Sequence, residues 1–248
     1  MTEALTAQTI MITGASGDTI EAYLAVPDDG AASRGGVVVI HHMPGYDSSS
    51  KEIVRKFAAY GYAAVMPNLY YREAPGASPD DAAATARANG GVPDGRLVGD
   101  VSAAADYLRA LQGSNGKVGA IGYCSGGRQS FLAACSLPLD AAVDCYGAFI
   151  VSPPPEGMPL KVSPIAGLAK DLSCPLLGLF GADDKFPSPA ETAELSKTLD
   201  EFGKEHEFHT YEGTGHAFFS VDRVAYRPEA ATDGWQKIWD FYGRYLAG

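Results

Sequence analysis

Three short runs in this chain, Gly35-Gly36-Val37-Val38-Val39-Ile40, Ala63-Ala64-Val65-Met66 and Val118-Gly119-Ala120-Ile121, are apolar at every position instead of at alternate ones. Strands of this kind must be covered on both faces, the condition of a parallel sheet flanked by helices. The intervening stretches supply that cover. Residues 51–60 and 97–112 read as helices; in the second, Val98, Val101, Ala105, Leu108 and Leu111 recur at three-to-four spacing and make one apolar face. The alternation continues with a helix after Cys124, strands near 141–147 and 174–181, a helix near 190–202, a strand near 207–212 and an amphipathic helix near 231–246. Ahead of all these, residues 8–14 and 19–27 alternate apolar and polar side chains around Gly17-Asp18, the pattern of an antiparallel hairpin. The expected architecture is one α/β domain over residues 1–248: a mostly parallel twisted sheet, an antiparallel N-terminal edge and helices on both faces. Residues 73–95 and the proline-rich 151–172 fit neither element and are positioned to overhang the strand ends, where loops carry function.

Composition narrows the function. A formal charge of −11 opposes extended contact with nucleic acid or anionic lipid, which depends on clustered Lys and Arg. The opening residues have neither a basic start nor an unbroken apolar stretch, and no later run is long enough to span a bilayer, so a cytoplasmic protein without a membrane partner is expected. Cys124, Cys135, Cys145 and Cys174 show no C-x-x-C spacing, and reduced thiols are expected.

Gly122-Tyr123-Cys124-Ser125-Gly126-Gly127 directly follows the strand Val118 to Ile121 and precedes a helix. It fits G-x-nucleophile-x-G in a strand-turn-helix setting, where glycines on either side allow a sharp turn that lifts the central side chain off the sheet. The helix beginning there favours a thiolate at Cys124. A nucleophile of this type needs a base, and a carboxylate to orient the base. Both follow in chain order. Gly181-Ala182-Asp183-Asp184 ends the strand Leu176 to Phe180, with Asp184 the favoured carboxylate and Asp183 its competitor, and Gly213-Thr214-Gly215-His216 delivers a histidine after the next strand. His206 and His209, beside charged residues, read as surface histidines, and the absence of an H-E-x-x-H spacing gives no reason to expect a metal. His41-His42-Met43-Pro44-Gly45 ends the first buried strand, where the backbone amide of Met43 is placed to join that of Ser125 in holding an oxyanion.

These motifs, together with Gly61-Tyr62-Ala63-Ala64-Val65-Met66-Pro67-Asn68-Leu69-Tyr70-Tyr71-Arg72 and Gly215-His216-Ala217-Phe218, resemble the dienelactone hydrolase family of α/β-hydrolases through nearly the whole chain. The resemblance implies a small ester or lactone as substrate and a triad of Cys124, His216 and Asp184, with no metal or cofactor. It further implies that Arg72 meets a substrate carboxylate. His42, Tyr123 and Phe218 are the other expected substrate contacts. Two positions depart from the family: His42 stands where a glutamate is usual, and Ser220 where a second substrate-binding arginine is usual. The preferred ester is therefore expected to differ from dienelactone itself.

Three other readings compete, one of them a non-catalytic scaffold on the same fold, which gains nothing from having all three triad residue types in order. Thr13-Gly14-Ala15-Ser16-Gly17 looks like the start of a nucleotide-binding glycine loop, but it lacks the third glycine and leads into an alternating strand rather than a helix. A thiol redox sensor using Cys124 is the alternative outside hydrolysis; no cysteine nearby in sequence stands out as a resolving partner.

Overall fold

A computed structural model of the chain describes residues 5–28 and 35–247. Eight strands form one sheet: β1 (Leu5–Thr13), β2 (Thr19–Pro27), β3 (Gly36–Ile40), β4 (Ala63–Pro67), β5 (Val118–Tyr123), β6 (Ala141–Cys145), β7 (Leu176–Gly181) and β8 (His206–Tyr211). Their spatial order is β1-β2-β4-β3-β5-β6-β7-β8. The β1–β2 and β2–β4 pairs are antiparallel and the others parallel, as the change from alternating to uniformly apolar runs implies. The hairpin register pairs Thr13 with Thr19. Ser16 and Gly17, both at positive φ, turn the chain between them.

Six helices cover the two faces: α1 (Ser48–Ala59), α2 (Pro79–Ala88), α3 (Asp94–Ala110), α4 (Ser125–Ser136), α5 (Pro189–Glu201) and α6 (Pro228–Tyr245). Successive residues of β3 alternate between two cores. Val38 and Ile40 join Leu97, Val101, Phe131 and Leu195 from α3, α4 and α5. Val37 and Val39 join Val54, Phe57, Ile238 and Tyr242 from α1 and α6. Among the described residues, no helix is long and apolar enough to cross a membrane.

The stretch 73–95, expected to be irregular, contains α2. Its start is well signalled, since the Ser78 hydroxyl accepts the Asp81 N–H and Pro79 sits in the first turn. The buried face, however, is made of Ala82, Ala83 and Ala86, and alanines beside alanines give too little contrast for a helical period to register. Residues 151–172 hold neither strand nor α-helix; a 3₁₀ turn at Ala166–Asp171 is their regular part.

Arg72 serves the fold. Its guanidinium donates two hydrogen bonds to the fully buried Asp100 of α3, at 2.8 and 2.9 Å, and its Nε donates to Asp18 in the hairpin turn at 2.8 Å. Asp100 also accepts the Ala15 N–H at 2.8 Å. The turn that looks like a nucleotide loop thus has a carboxylate on the amide a phosphate would need. Removing one member of a buried ion pair strands the other charge, so Arg72→Ala should lower the unfolding free energy by ~3–5 kcal/mol, read by urea denaturation. A loss below ~1 kcal/mol would place the pair among weak surface bridges.

Candidate active site

The turn from β5 into α4 brings backbone segments into very close approach. A Cβ on Gly122 would fall 1.8 Å from the Gly126 carbonyl oxygen, and one on Gly126 would fall 2.2 Å from that of Ile40. Only with glycine at both positions can α4 start so close to β3 and β5. Between them Cys124 takes φ 57°, ψ −119°, a conformation costly for a residue with a side chain. Its own amide donates to the Cys145 carbonyl at 3.0 Å, and its carbonyl accepts the Gly127 N–H at 2.9 Å. The thiol is half-buried at the start of α4, where Ser125 begins the helix and its amide lacks an intrahelical partner.

β5 lies mid-sheet, so loops arrive from both sides. From β7 and β8 come Asp184 and His216: the imidazole Nδ1 is 2.7 Å from Asp184 Oδ2, and the other Asp184 oxygen accepts the Phe186 N–H at 2.9 Å. Asp183 does not compete in this geometry. Its side chain is exposed, and its backbone N–H bonds to the Thr214 carbonyl, joining the two loops. With Nδ1 engaged, Nε2 is left for the neighbouring Cys124 sulfur. Burial pushes the His216 imidazole down, but the hydrogen bonds and charges of Asp184 and Cys124 outweigh it and raise the group to about 10. The Tyr146 ring lies edge-on to it, with centroids 5.0 Å apart.

From β3 and β4 come Met43 and Tyr70. His41, buried at the end of β3, holds this side: Nε2 accepts the Leu69 N–H at 3.2 Å and Nδ1 lies 2.9 Å from the His42 carbonyl. Burial lowers its imidazole to about 4, so it stays neutral with Nδ1 as donor. Sequence reasoning passed over His41, which looks like half of a histidine pair.

Cys124, Ser125, Met43, Asp184 and His216 line one cavity of about 690 Å³. The four expected substrate contacts lie elsewhere. Arg72 is consumed by Asp100 and Asp18. His42 and Tyr123 line a different cavity beside Trp235, with His42 3.5 Å from Asp47. Phe218 is fully buried against Tyr146, Tyr211 and Phe219. Ser220 also faces the second cavity. The cavity with Cys124 is instead walled by residues that no motif marked: Arg87 at the end of α2, Val92, Phe149, Phe186, and Met158 to Leu160 of the proline-rich stretch. Arg128, buried and bidentate to Asp94 at 2.8 and 3.0 Å, donates to the Ser163 carbonyl at 2.9 Å and so anchors that stretch. Among the described residues, no three His, Cys, Asp or Glu side chains converge to hold a metal ion.

The sheet order and the chain order of these strand-end residues are those of an α/β-hydrolase. A family model for the dienelactone hydrolase family matches residues 20–246, and the chain belongs to that family. It is a hydrolase of ester or lactone bonds. It is 32% identical over 234 residues to the "Putative carboxymethylenebutenolidase" of Yersinia pestis, covering 92% of this chain and 85% of the relative. It is 28% identical to the "Probable 2-oxo-3-(5-oxofuran-2-ylidene)propanoate lactonase" of a Bradyrhizobium species, covering 95% and 93%. The structure of a "Putative Dienelactone Hydrolase" from Klebsiella pneumoniae superposes with a TM-score of 0.84 at 27% identity, covering 98% of this chain and all of the other.

Beneath the turn lies Asp144, fully buried, with Oδ1 accepting the Gly147 N–H at 2.7 Å. A Cβ on Gly127 would come within 2.3 Å of that oxygen, and no partner meets Oδ2 among the described residues. Burial raises Asp144 from 3.8 to about 7, against the opposing pull of the Gly147 amide and His216. In the unfolded chain this carboxyl loses its proton first, so its contribution to stability is largest below pH 3.8 and declines as pH rises to about 7. Asp144→Asn removes that decline. Denaturant melts of both proteins should show the variant gaining on wild type by a few kcal/mol, to order of magnitude, between pH 4 and 8. A pH-independent difference would contradict the assignment.

Proposed function

We propose that this hydrolase opens lactones or cleaves carboxylic esters through a covalent thioester on Cys124. The observation that carries the reading is the position of His216, hydrogen-bonded to the buried Asp184 and facing the Cys124 sulfur. A histidine raised by both neighbours is suited to hold the thiol's proton, as an imidazolium beside a thiolate. The thiolate attacks the carbonyl carbon, and the Met43 and Ser125 amides receive the developing negative oxygen. As the tetrahedral intermediate collapses, His216 gives its proton to the leaving alkoxide. Water enters, His216 takes a proton from it, and the resulting hydroxide attacks the thioester to release the acid and restore Cys124. Asp184 keeps Nδ1 protonated and Nε2 directed at the reacting atoms. No cofactor enters the cycle.

Arg87 takes the part that the resemblance gives to Arg72. It is exposed at the cavity wall with its Nε on the Met43 sulfur at 3.3 Å, leaving the terminal nitrogens to meet a substrate carboxylate.

Steady-state hydrolysis of 4-nitrophenyl acetate tests the roles. Cys124→Ala should abolish turnover. Asp184→Asn should lower kcat by ~10²–10⁴-fold, the usual worth of a positioned general acid–base. Asp183→Asn, altering an exposed side chain, should stay within about threefold of wild type. Equal losses in the two aspartate variants would sink the assignment of Asp184, and full turnover by Cys124→Ala would sink the nucleophile.

A further inference from the structure

The cavity around Cys124 is larger than a small lactone needs, and its two ends differ. A cavity of about 690 Å³ lies within the roughly 300–1,000 Å³ that holds a drug-sized ligand. Strand order assigns its sides. Asp184 and His216 follow β7 and β8, on one side of the strand that carries Cys124; Met43 and Tyr70 follow β3 and β4, on the other. The alcohol oxygen of an ester must leave toward His216, because that is where its proton comes from. With the sulfur, the oxyanion at the Met43 and Ser125 amides and the leaving oxygen at His216 each taking one direction around the tetrahedral carbon, the acyl portion takes the fourth, into the open body of the cavity.

The two long inter-strand stretches, one following β4 and the other following β6, meet over the site and close it between the two sides. The Lys161 N–H donates to the Gly90 carbonyl at 2.8 Å, joining the end of the α2 segment to the proline-rich stretch. A Cβ on Gly91 would stand 3.7 Å from Leu160, so the contact continues beneath that hydrogen bond. Tyr70, Val92, Met158 and Leu160 form the resulting wall. Its charged neighbours are held at the margins: the terminal nitrogens of Arg128 are engaged by Asp94 and Ser163, and Arg87 is at the exposed end of α2. Met158 leaves 38% of its surface exposed, and a flexible thioether side chain adapts to varied apolar partners.

We infer that this part of the cavity is an acyl-group pocket, and that the enzyme prefers esters and lactones whose acyl portion is apolar and about the size of a six-carbon chain or a phenyl ring. The inference rests on the reading of Cys124 as nucleophile, since that fixes where the carbonyl sits. Each methylene added to the acyl chain exchanges water for the wall of Tyr70, Val92 and Leu160, in the transition state as in the bound ester.

The experiment compares kcat/KM for 4-nitrophenyl acetate and 4-nitrophenyl hexanoate in wild type, Leu160→Trp and Leu160→Ala, with Cys124→Ala as the blank. The hexanoate-to-acetate ratio should be at least ~10 in wild type, collapse toward 1 when tryptophan fills the pocket, and hold or rise with alanine. Both rates are read on one sample, so any loss of folded protein cancels from the ratio. A ratio near or below 1 in wild type, or one that the tryptophan leaves unchanged, overturns the acyl pocket while Cys124-dependent turnover of acetate keeps the nucleophile intact. Absence of any Cys124-dependent turnover overturns the nucleophile, and the pocket with it.

Discussion

Cys124 sits at φ 57°, ψ −119° because α4 begins almost in contact with the ends of β3 and β5. Such a conformation costs about 1–3 kcal/mol for a residue that is not glycine, and it persists only where the surroundings leave no alternative. Here they do not. The Cys124 amide is committed to the neighbouring strand, its carbonyl to the first turn of the helix, and α4 is pinned by the burial of Phe131, Ala133 and Ala134. The strain is thus carried by a hydrophobic core that has no chemical role. In return the sulfur stands clear of the sheet, beside helix amides, at a mid-sheet strand that loops from both sides reach.

The electrostatics around that sulfur depend on burial being matched by partners at some groups and not at others. His216 is half-buried against the buried Asp184, and the hydrogen bonds and charges of Asp184 and Cys124 let the imidazole keep its proton against the pull of burial. Asp144, equally buried but with one oxygen unmet, goes the other way and is pushed up to about 7. His41 follows the same rule with the opposite sign, and burial lowers it to about 4. Four titratable groups close to one turn therefore divide into a pair able to carry charge and two groups that burial drives toward neutrality. The upward push on Asp144 lessens the negative charge beneath the thiol, while neutrality at His41 keeps a fixed donor and a fixed acceptor under the Met43 loop.

What the sequence made legible is local backbone chemistry. Uniformly apolar runs located β3, β4 and β5 to within a residue or two, since few other environments bury every side chain of a five-residue segment. The glycines around Cys124 announced a sharp turn for the same kind of reason. Asp184 and His216 could be read because each closes a strand in a loop too short to wander. The helix α2 was hidden because an alanine face carries little hydrophobic contrast, although Ser78-Pro79 with Asp81 at the third helical position was a capping signal open to recognition. The walls of the cavity were hidden for a different reason: Val92, Met158 and Leu160 come from segments whose placement is decided by Arg128 and by the single hydrogen bond between Lys161 and Gly90, neither of which leaves a periodic trace.

The pairing of Arg72 with Asp100 and Asp18 has a physical lesson about charge in an acidic chain. With 30 Asp and Glu against 19 Lys and Arg, a carboxylate partner is available for almost any arginine that folding brings inside. Arg72 finds Asp100 and Asp18, Arg96 finds Glu73, and Arg128 finds Asp94. Each is a bond within the protein, and each neutralises the cation as a ligand for anything else. An arginine near the active site in sequence is therefore poor evidence for substrate binding until its carboxylates are counted. Arg87 passes that count among the described residues, because its recorded partner is the thioether of Met43, a weak acceptor that competes little with an incoming carboxylate. The same side chain that could not be singled out by motif is thus singled out by what it does not touch, at the rim of the cavity through which substrate must enter.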